Sequence, residues 1–506
     1  GTFRLSRFNV TNETSPLSQN GAAINKGANM SDKNGKLNLG TCIGIIVGGC
    51  IGSAIFSLSG QTIVYAGPAA IISWIIAAAI QALYGMQVCE LAIRYPRSGG
   101  VFVFPQKAIG GRKGDFVGFI SAWGSIFCNT IAVAFSAISI GNFMVPAFGL
   151  DAPVFTIGSF QMTWTILLAV IAVVLCAVFN FRKITTAGTF NSILVCGMTI
   201  AMLIFVGLSF FGKRPDGTPS FTAAYFSDFF TTGMGIQGMF RSVPIAAIAY
   251  GACVSISFMV EDVKNPEKTV PASLTIGMTV VMILYTLMIV ATIGTCGYFM
   301  FKTPGLEFIE LAPQFGSAMD GLAAYPWITK LIALTALVAL TTTILIILAQ
   351  NARTVKAVAD SGYFPRFLSK ENKNGIPLYA TIVIAVIAII LSLRPDWTNV
   401  LVGLGALFNV VTTVITILSL IISRKKTALP EGQYKAPFGN TASIIIIIVL
   451  AVCYLIGSID RNVVFFTIAA YITAIAIFTI VSKKRAVHKE LLLNTLFTQT
   501  ILQVLE

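Results

Sequence analysis

The sequence predicts an all-α, polytopic membrane protein of about twelve transmembrane helices, and three observations carry that prediction. Of its 506 residues, 56% are hydrophobic and only 11% charged, with a mean hydropathy of +0.84, whereas a soluble domain carries roughly 25% charged residues. The apolar residues arrive in blocks of about 20, the length at which a helix crosses a hydrocarbon core. Lysine and arginine fall mainly into alternate intervals between those blocks, the signature of loops that stay on one side of a membrane.

In chain order the spans are 40–60, 67–91, 115–146, 161–179, 188–211, 242–260, 272–298, 328–350, 377–393, 399–423, 440–458 and 462–482. Span one is apolar but laced with Gly48, Gly49, Gly52 and Ser53. Span two closes at Glu90 and is followed by Arg94, Arg97, Lys107, Arg112 and Lys113. Span three carries Asn129 within FCNTIAVAF. Span six holds AYGACVSIS (Ala249–Ser257), then Glu261 and Asp262 in the charged turn EDVKNPEKTVP. Span eight opens at Lys330 and carries Thr341, Thr342 and Thr343, and Arg353, Lys356, Arg366, Lys370 and Lys373 follow it. With the N-terminus inside, 27 of the 34 basic residues face the cytoplasm and 7 face out. The opposite orientation would invert this bias, so both termini are expected in the cytoplasm of a multi-pass cell-membrane protein. The organisation expected is a cytoplasmic tail over 1–38, a membrane core over 39–423, two further helices over 424–482 and a cytoplasmic tail over 483–506. Met30 reads as a natural start, with 1–29 an extension ahead of it. Asn9 and Asn12 match the glycosylation acceptor pattern by chance if that tail is cytoplasmic.

Several functions are disfavoured on composition. The nine cysteines lie in apolar segments with no CxxC, and the single histidine, His488, sits in the tail. Neither a disulfide framework, a zinc site nor a hydrolytic triad is indicated. No nucleophile–base pair falls within the spans, so no enzyme is predicted, and no cofactor or metal is called for. The net charge of +14 follows from topology, without the basic and aromatic interleaving of a nucleic-acid binder. GGRKGD (Gly110–Asp115) lacks phosphate-loop spacing. The partners expected are the lipid bilayer and a small substrate.

The deep membrane is almost uncharged, since Glu90, Glu261, Asp262 and Lys330 all lie near span ends, where snorkelling suffices. Glycine and hydroxyl clusters in spans one and six are the stronger signal. Small residues of this kind pack helices closely, and Gly48 and Gly52 have GxxxG spacing. Two interrupted spans, the first and the sixth, instead imply a five-plus-five repeat whose second half is inverted. Chain breaks at the midplane free N–H groups from one half-helix and C=O groups from the other, away from water. Such a site fits a zwitterion, with carboxylate at the N–H end and ammonium at the C=O end.

VGGCIGSAIF (Val47–Phe56) resembles the first-helix signature of the amino acid–polyamine–organocation (APC) superfamily. ELAIRYPRSGG (Glu90–Gly100), VKNPEKTVP (Val263–Pro271) and VADSGYFPRFLSKENKNGIP (Val358–Pro377) are similar to that family's segments after its second, sixth and eighth helices. The resemblance, nearest the basic amino acid/polyamine antiporter branch, implies an inverted-repeat transporter with a ten-helix core and two peripheral helices. By motif position it implies that Ile51, Gly52, Ser53 and Ala54 hold the substrate's charged groups, facing Tyr250, Gly251 and Cys253. Asn129 is similar in place to a ligand-binding asparagine of the antiporter branch, and equally fits a helix–helix hydrogen bond. Departures are Ala54 and Ala252 in glycine positions, Val254 where an acid is frequent, and Met198 where some members carry lysine. Thr341 and Thr342, with Thr343, could donate hydroxyl oxygens to sodium, although threonines in membrane helices more often bond back to the i−4 carbonyl.

The implied function is secondary active transport of an amino acid, or amino acid/amine exchange, by alternating access. Its alternatives are a sodium- or proton-coupled symporter and, behind these, a polyamine transporter. A cationic substrate would need an aromatic face, for which Tyr65, Phe127, Phe135, Tyr250 and Phe258 are candidates.

Overall fold

The computed structural model describes residues 37–95, 100–150, 153–157, 160–181, 187–231, 233–296, 322, 324–429, 433–457 and 460–505. Most of the N-terminal tail expected over 1–38 therefore lies outside the described residues. The helices are α1 (Leu39–Cys50), α2 (Ser53–Ala66), α3 (Ala70–Arg94), α4 (Gly100–Ile109), α5 (Gly111–Phe148), α6 (Trp164–Asn180), α7 (Ala187–Phe211), α8 (Gly235–Ala249), α9 (Pro266–Cys296), α10 (Trp327–Asp360), α11 (Leu378–Ser392), α12 (Thr398–Lys426), α13 (Gly439–Ile456) and α14 (Arg461–Leu505). A twelve-residue 3₁₀ helix, Gly251–Asp262, continues α8. Among the described residues, eight stretches are long and apolar enough to cross a membrane, and α6, α11 and the part of α7 from Cys196 are shorter apolar helices. This is an all-α polytopic membrane protein.

Each predicted span has its helix, and the differences are local. The fourth begins at Trp164 rather than 161 because Gln161 belongs to a hairpin of β1 (Phe155–Ile157) and β2 (Phe160–Met162). The Thr163 side chain then accepts from Ile166 N at 3.3 Å as the helix cap. The last span does not stop near 482, since α14 continues in one helix through the expected tail to Leu505. GGRKGD is a helix–helix turn. Gly110 and Gly111 adopt φ of +77° and +59°, and a Cβ on Gly114 would stand 2.5 Å from the Gln106 carbonyl. Only glycines let α4 fold back so closely along α5.

Packing divides the helices into two interlocked groups. α5 is the centre of one, against α4, α6, α10, α11 and α12. In the other, α1 packs on α9 and the 3₁₀ helix, α2 on α8, and α3 on α8, α9 and the 3₁₀ helix. An isolated parallel bridge, Leu37 to Val263, ties the start of α1 to the end of the 3₁₀ helix, with Lys264 N donating to Leu37 O at 2.9 Å.

A charge cluster joins the two groups. The Glu90 side chain, 1% exposed, accepts from Arg94 Nε (3.0 Å) and Nη2 (2.8 Å), from Arg424 Nε (3.0 Å) and Nη2, and from Ala436 N (2.9 Å). Arg94 also donates to Thr427 O at 2.7 Å. This carboxylate ends α3 and holds the end of α12 together with the segment leading to α13. Removing one member of such a buried cluster strands the others, at a cost of about 3–5 kcal/mol. Glu90→Ala should therefore lower the thermal unfolding midpoint of the detergent-solubilised protein clearly, and Glu90→Ala/Arg424→Met should recover part of the loss, as read by intrinsic fluorescence on heating.

Candidate functional site

Span one is interrupted where its glycines stand. α1 ends at Cys50, Ile51 and Gly52 are extended (φ −69°, ψ 92°; φ −148°, ψ −152°), and α2 starts at Ser53. The dihedrals at Gly52 are open to other residues, so conformation alone does not require glycine there. Space does: a Cβ at Gly52 would lie 2.8 Å from Thr343 Oγ1 on α10. The interruption exposes both kinds of backbone group. The first turn of α2 has no side-chain cap, leaving N–H groups turned toward the gap, where a helix end favours an anion. On the other half, the Cys50 carbonyl accepts from Tyr285 Oη at 2.5 Å, while Ile51 N closes the last turn of α1 on Val47 O at 2.9 Å.

Span six behaves differently from the expected opening. The chain does not part at Tyr250–Cys253; it changes winding. Tyr250 N bonds Ala247 O (3.2 Å), Cys253 N bonds Tyr250 O (3.0 Å), and the rest continues as 3₁₀ helix. Twelve residues is long for that form, whose hydrogen bonds are poorer than those of an α-helix. Tyr250 O also accepts a weak contact from Cys50 Sγ at 3.8 Å, which sets the change of winding against the break in span one.

The expected residues divide by what they touch. Ile51 is buried, and Ser53 contributes the first backbone unit of α2. Ala54 packs in an apolar cluster with Leu58, Phe135, Ile245, Val402 and Ala406. Gly251 has open space where a side chain would be. Tyr250 is fully buried, its ring 5.9 Å from Trp74 and 5.3 Å from Tyr285, and its Oη has no hydrogen-bond partner among the described residues. A hydroxyl in that state costs about 1–3 kcal/mol unless a ligand or water takes it up. Cys253 points elsewhere: Sγ donates to Gln81 O of α3 at 3.2 Å and presses on Gly85. Asn129 makes a long contact to Ser125 Oγ on its own helix, 3.5 Å. Thr341 and Thr342 donate to the carbonyls of Leu337 (2.7 Å) and Val338 (3.1 Å), as threonines in helices do, and Thr343 to Ala339 (2.8 Å). Met198 is buried in α7. Of the aromatic candidates, Phe258 lies outside the described side chains.

Two neighbours of the break were not visible as site residues in the sequence. Trp74 and Tyr285 sit in ordinary apolar helices, yet with Tyr250 they form a buried aromatic trio; Trp74 lies 5.4 Å from Tyr285 and donates Nε1–H to Thr62 Oγ1 at 2.9 Å. No periodicity marks them, because the trio is assembled from three separate spans. A cleft lies farther along α2, lined by Gln61, Tyr65, Arg241 and Asp460 among others. Gln61 is nine positions beyond Gly52, about 13 Å at 1.5 Å per residue.

The contact at Gly52 yields a paired test. Gly52→Ala should impair substrate-induced thermal stabilisation, because the added methyl meets Thr343 Oγ1. Thr343→Ala should restore much of it in the double variant, while Thr343→Ser, which keeps the oxygen, should not.

The chain matches the family model described as "Amino acid permease" over residues 37–483. It is 27% identical over 428 residues to the branched-chain amino acid permease BcaP of Bacillus subtilis (strain 168), covering 81% of this chain and 86% of that protein. It is 24% identical over 402 residues to the BcaP of Lactococcus lactis subsp. cremoris (strain MG1363), covering 78% and 83%. Similarity to cationic amino acid transporter 7, chloroplastic, of Arabidopsis thaliana is 24% over 381 residues, 72% of this chain and 62% of the plant protein, so the chain spans less than two thirds of that relative.

Proposed function

We propose that this chain, which belongs to the amino acid permease family of the APC superfamily, is a secondary active transporter that exchanges amino acids across the cell membrane, with both termini cytoplasmic. Family membership makes it a transporter and not an enzyme. The observation that carries the finer reading is the interruption at Ile51–Gly52: an α2 N-terminus with no side-chain cap among the described residues adjoins the carbonyl end of α1 across one extended pair. A zwitterion matches that pair. Its carboxylate would take the N–H groups from Gly52 to Ala54, its ammonium the carbonyl end of α1, and its side chain the space beside Gly251. Tyr250 Oη, buried without a partner among the described residues, would donate to the same ligand.

The helix groups support alternating access by the same logic. α1, α2, α3, α8, the 3₁₀ helix and α9 pack mainly on each other, and α5, α6, α10, α11 and α12 do likewise. Rocking one group on the other preserves most contacts within each. The change of winding after Tyr250 and the extended pair Ile51–Gly52 are the points where half-helices can turn. The related permeases and transporters named above favour an amino acid over a polyamine. A side chain that is neutral suits the uncharged surroundings of the break.

Exchange is tested in proteoliposomes with labelled amino acids, tried singly. Uptake should appear only when the lumen holds an exchangeable amino acid; accumulation in empty vesicles on an imposed sodium or proton gradient would establish symport instead. Gly52→Leu, which fills the break, should abolish uptake while the protein still elutes as a folded species.

A further inference from the structure

We propose that the cleft between α2, α8, α12, α13 and α14 is a second amino acid subsite, in which Arg241 receives the α-carboxylate and Asp460 the α-ammonium. The proposal rests on the reading of the chain as an amino acid transporter. The cleft draws its walls from all five helices. Two groups of opposite charge line it. Arg241 lies over the Tyr65 ring, 4.3 Å from its centre, and has no carboxylate partner among the described residues. Tyr65 is held in place by Gln61, whose Nε2 donates to Tyr65 Oη at 3.2 Å. Asp460 stands just ahead of α14; one carboxylate oxygen accepts from Asn462 N at 2.8 Å, and the other has no donor among the described residues. A cation and an anion that share a cleft without bonding each other present one group to each end of a zwitterion.

Beside Tyr454, the rest of the wall is made largely of small and apolar residues, of which Pro244, Ile245, Ala406 and Val463 would face the ligand's side chain. Ile245 and Ala406 also belong to the cluster with Leu58, Phe135 and Val402, against which Ala54 packs. One layer of apolar side chains thus separates the cleft from the first turn of α2. A ligand held at Arg241 waits on the far side of that layer from the break, on the helices whose movement would open it.

The test is equilibrium binding of single tritiated amino acids to the purified chain in lipid nanodiscs. The parent should bind two equivalents of its substrate, and Gly52→Leu should keep one. Adding Arg241→Gln to Gly52→Leu should weaken that remaining site roughly tenfold or more, as expected for loss of a charged hydrogen bond, and Arg241→Lys should weaken it less. Asp460→Asn should act like Arg241→Gln. Each variant is checked for unchanged elution and unfolding midpoint. One equivalent in the parent and none in Gly52→Leu would overturn the subsite and leave the transport reading standing, as would binding in Gly52→Leu that ignores Arg241. No binding by the parent to any amino acid would overturn the transport reading itself.

Discussion

A hydrocarbon core offers no water to an unpaired peptide group, so a membrane helix can part only where something else takes over its hydrogen bonds. The parting at Ile51–Gly52 is the place in this fold where that constraint is tightest, and its surroundings are arranged around it. Tyr285 reaches from α9 to the Cys50 carbonyl. Trp74, Tyr250 and Tyr285 fill the space beneath it with rings, and Thr343 closes on Gly52 from the opposite helix group. Among the described residues, no side chain caps the start of α2. Under the proposed function, that end of the helix dipole receives the ligand's negative group, and backbone does the work that a charged side chain would otherwise do.

The overall fold was legible because the membrane writes it into composition. Blocks of apolar residues and the alternation of lysine and arginine follow from transfer energies that act on each span separately, so twelve spans could be read one at a time. The break in span one was legible for a related reason, since Gly48, Gly49, Gly52 and Ser53 are poor helix formers crowded into one stretch. Span six carries a similar cluster but no parting. There the small residues allow a tighter winding, and a pattern of glycine, alanine and serine does not distinguish between opening a ladder and shortening it from four residues to three.

Side-chain direction was less legible than position. Cys253 lies three residues beyond Tyr250, yet its thiol bonds to Gln81, because the 3₁₀ helix that carries it packs along α3. Trp74 and Tyr285 could not be found at all by local reasoning: each is unremarkable in its own span, and only the packing of α3, α8 and α9 brings them to the break. Glu90 was recognised as a span-end charge for which snorkelling sufficed. In the fold it is buried, and it binds two arginines and a backbone N–H from three segments, two of which lie more than 300 positions away in the chain.

That cluster also constrains how the helix groups can move. Glu90 belongs to α3, in the group carrying the break, whereas Arg424 belongs to α12, in the other. Drawing them apart in a low-dielectric setting leaves a carboxylate and two guanidinium groups short of partners, so separation there must either admit water or cost several kcal/mol. At the same end, the Leu37–Val263 bridge binds the start of α1 to the close of the 3₁₀ helix, so those two half-helices shift together or not at all. Under the proposed alternating access, a rocking motion that respects both contacts would pivot near Glu90 and carry α1 and the 3₁₀ helix as one body. The gap at Ile51–Gly52 and the change of winding after Tyr250 lie where that body meets the rest of its own spans, and the proposed bending falls there.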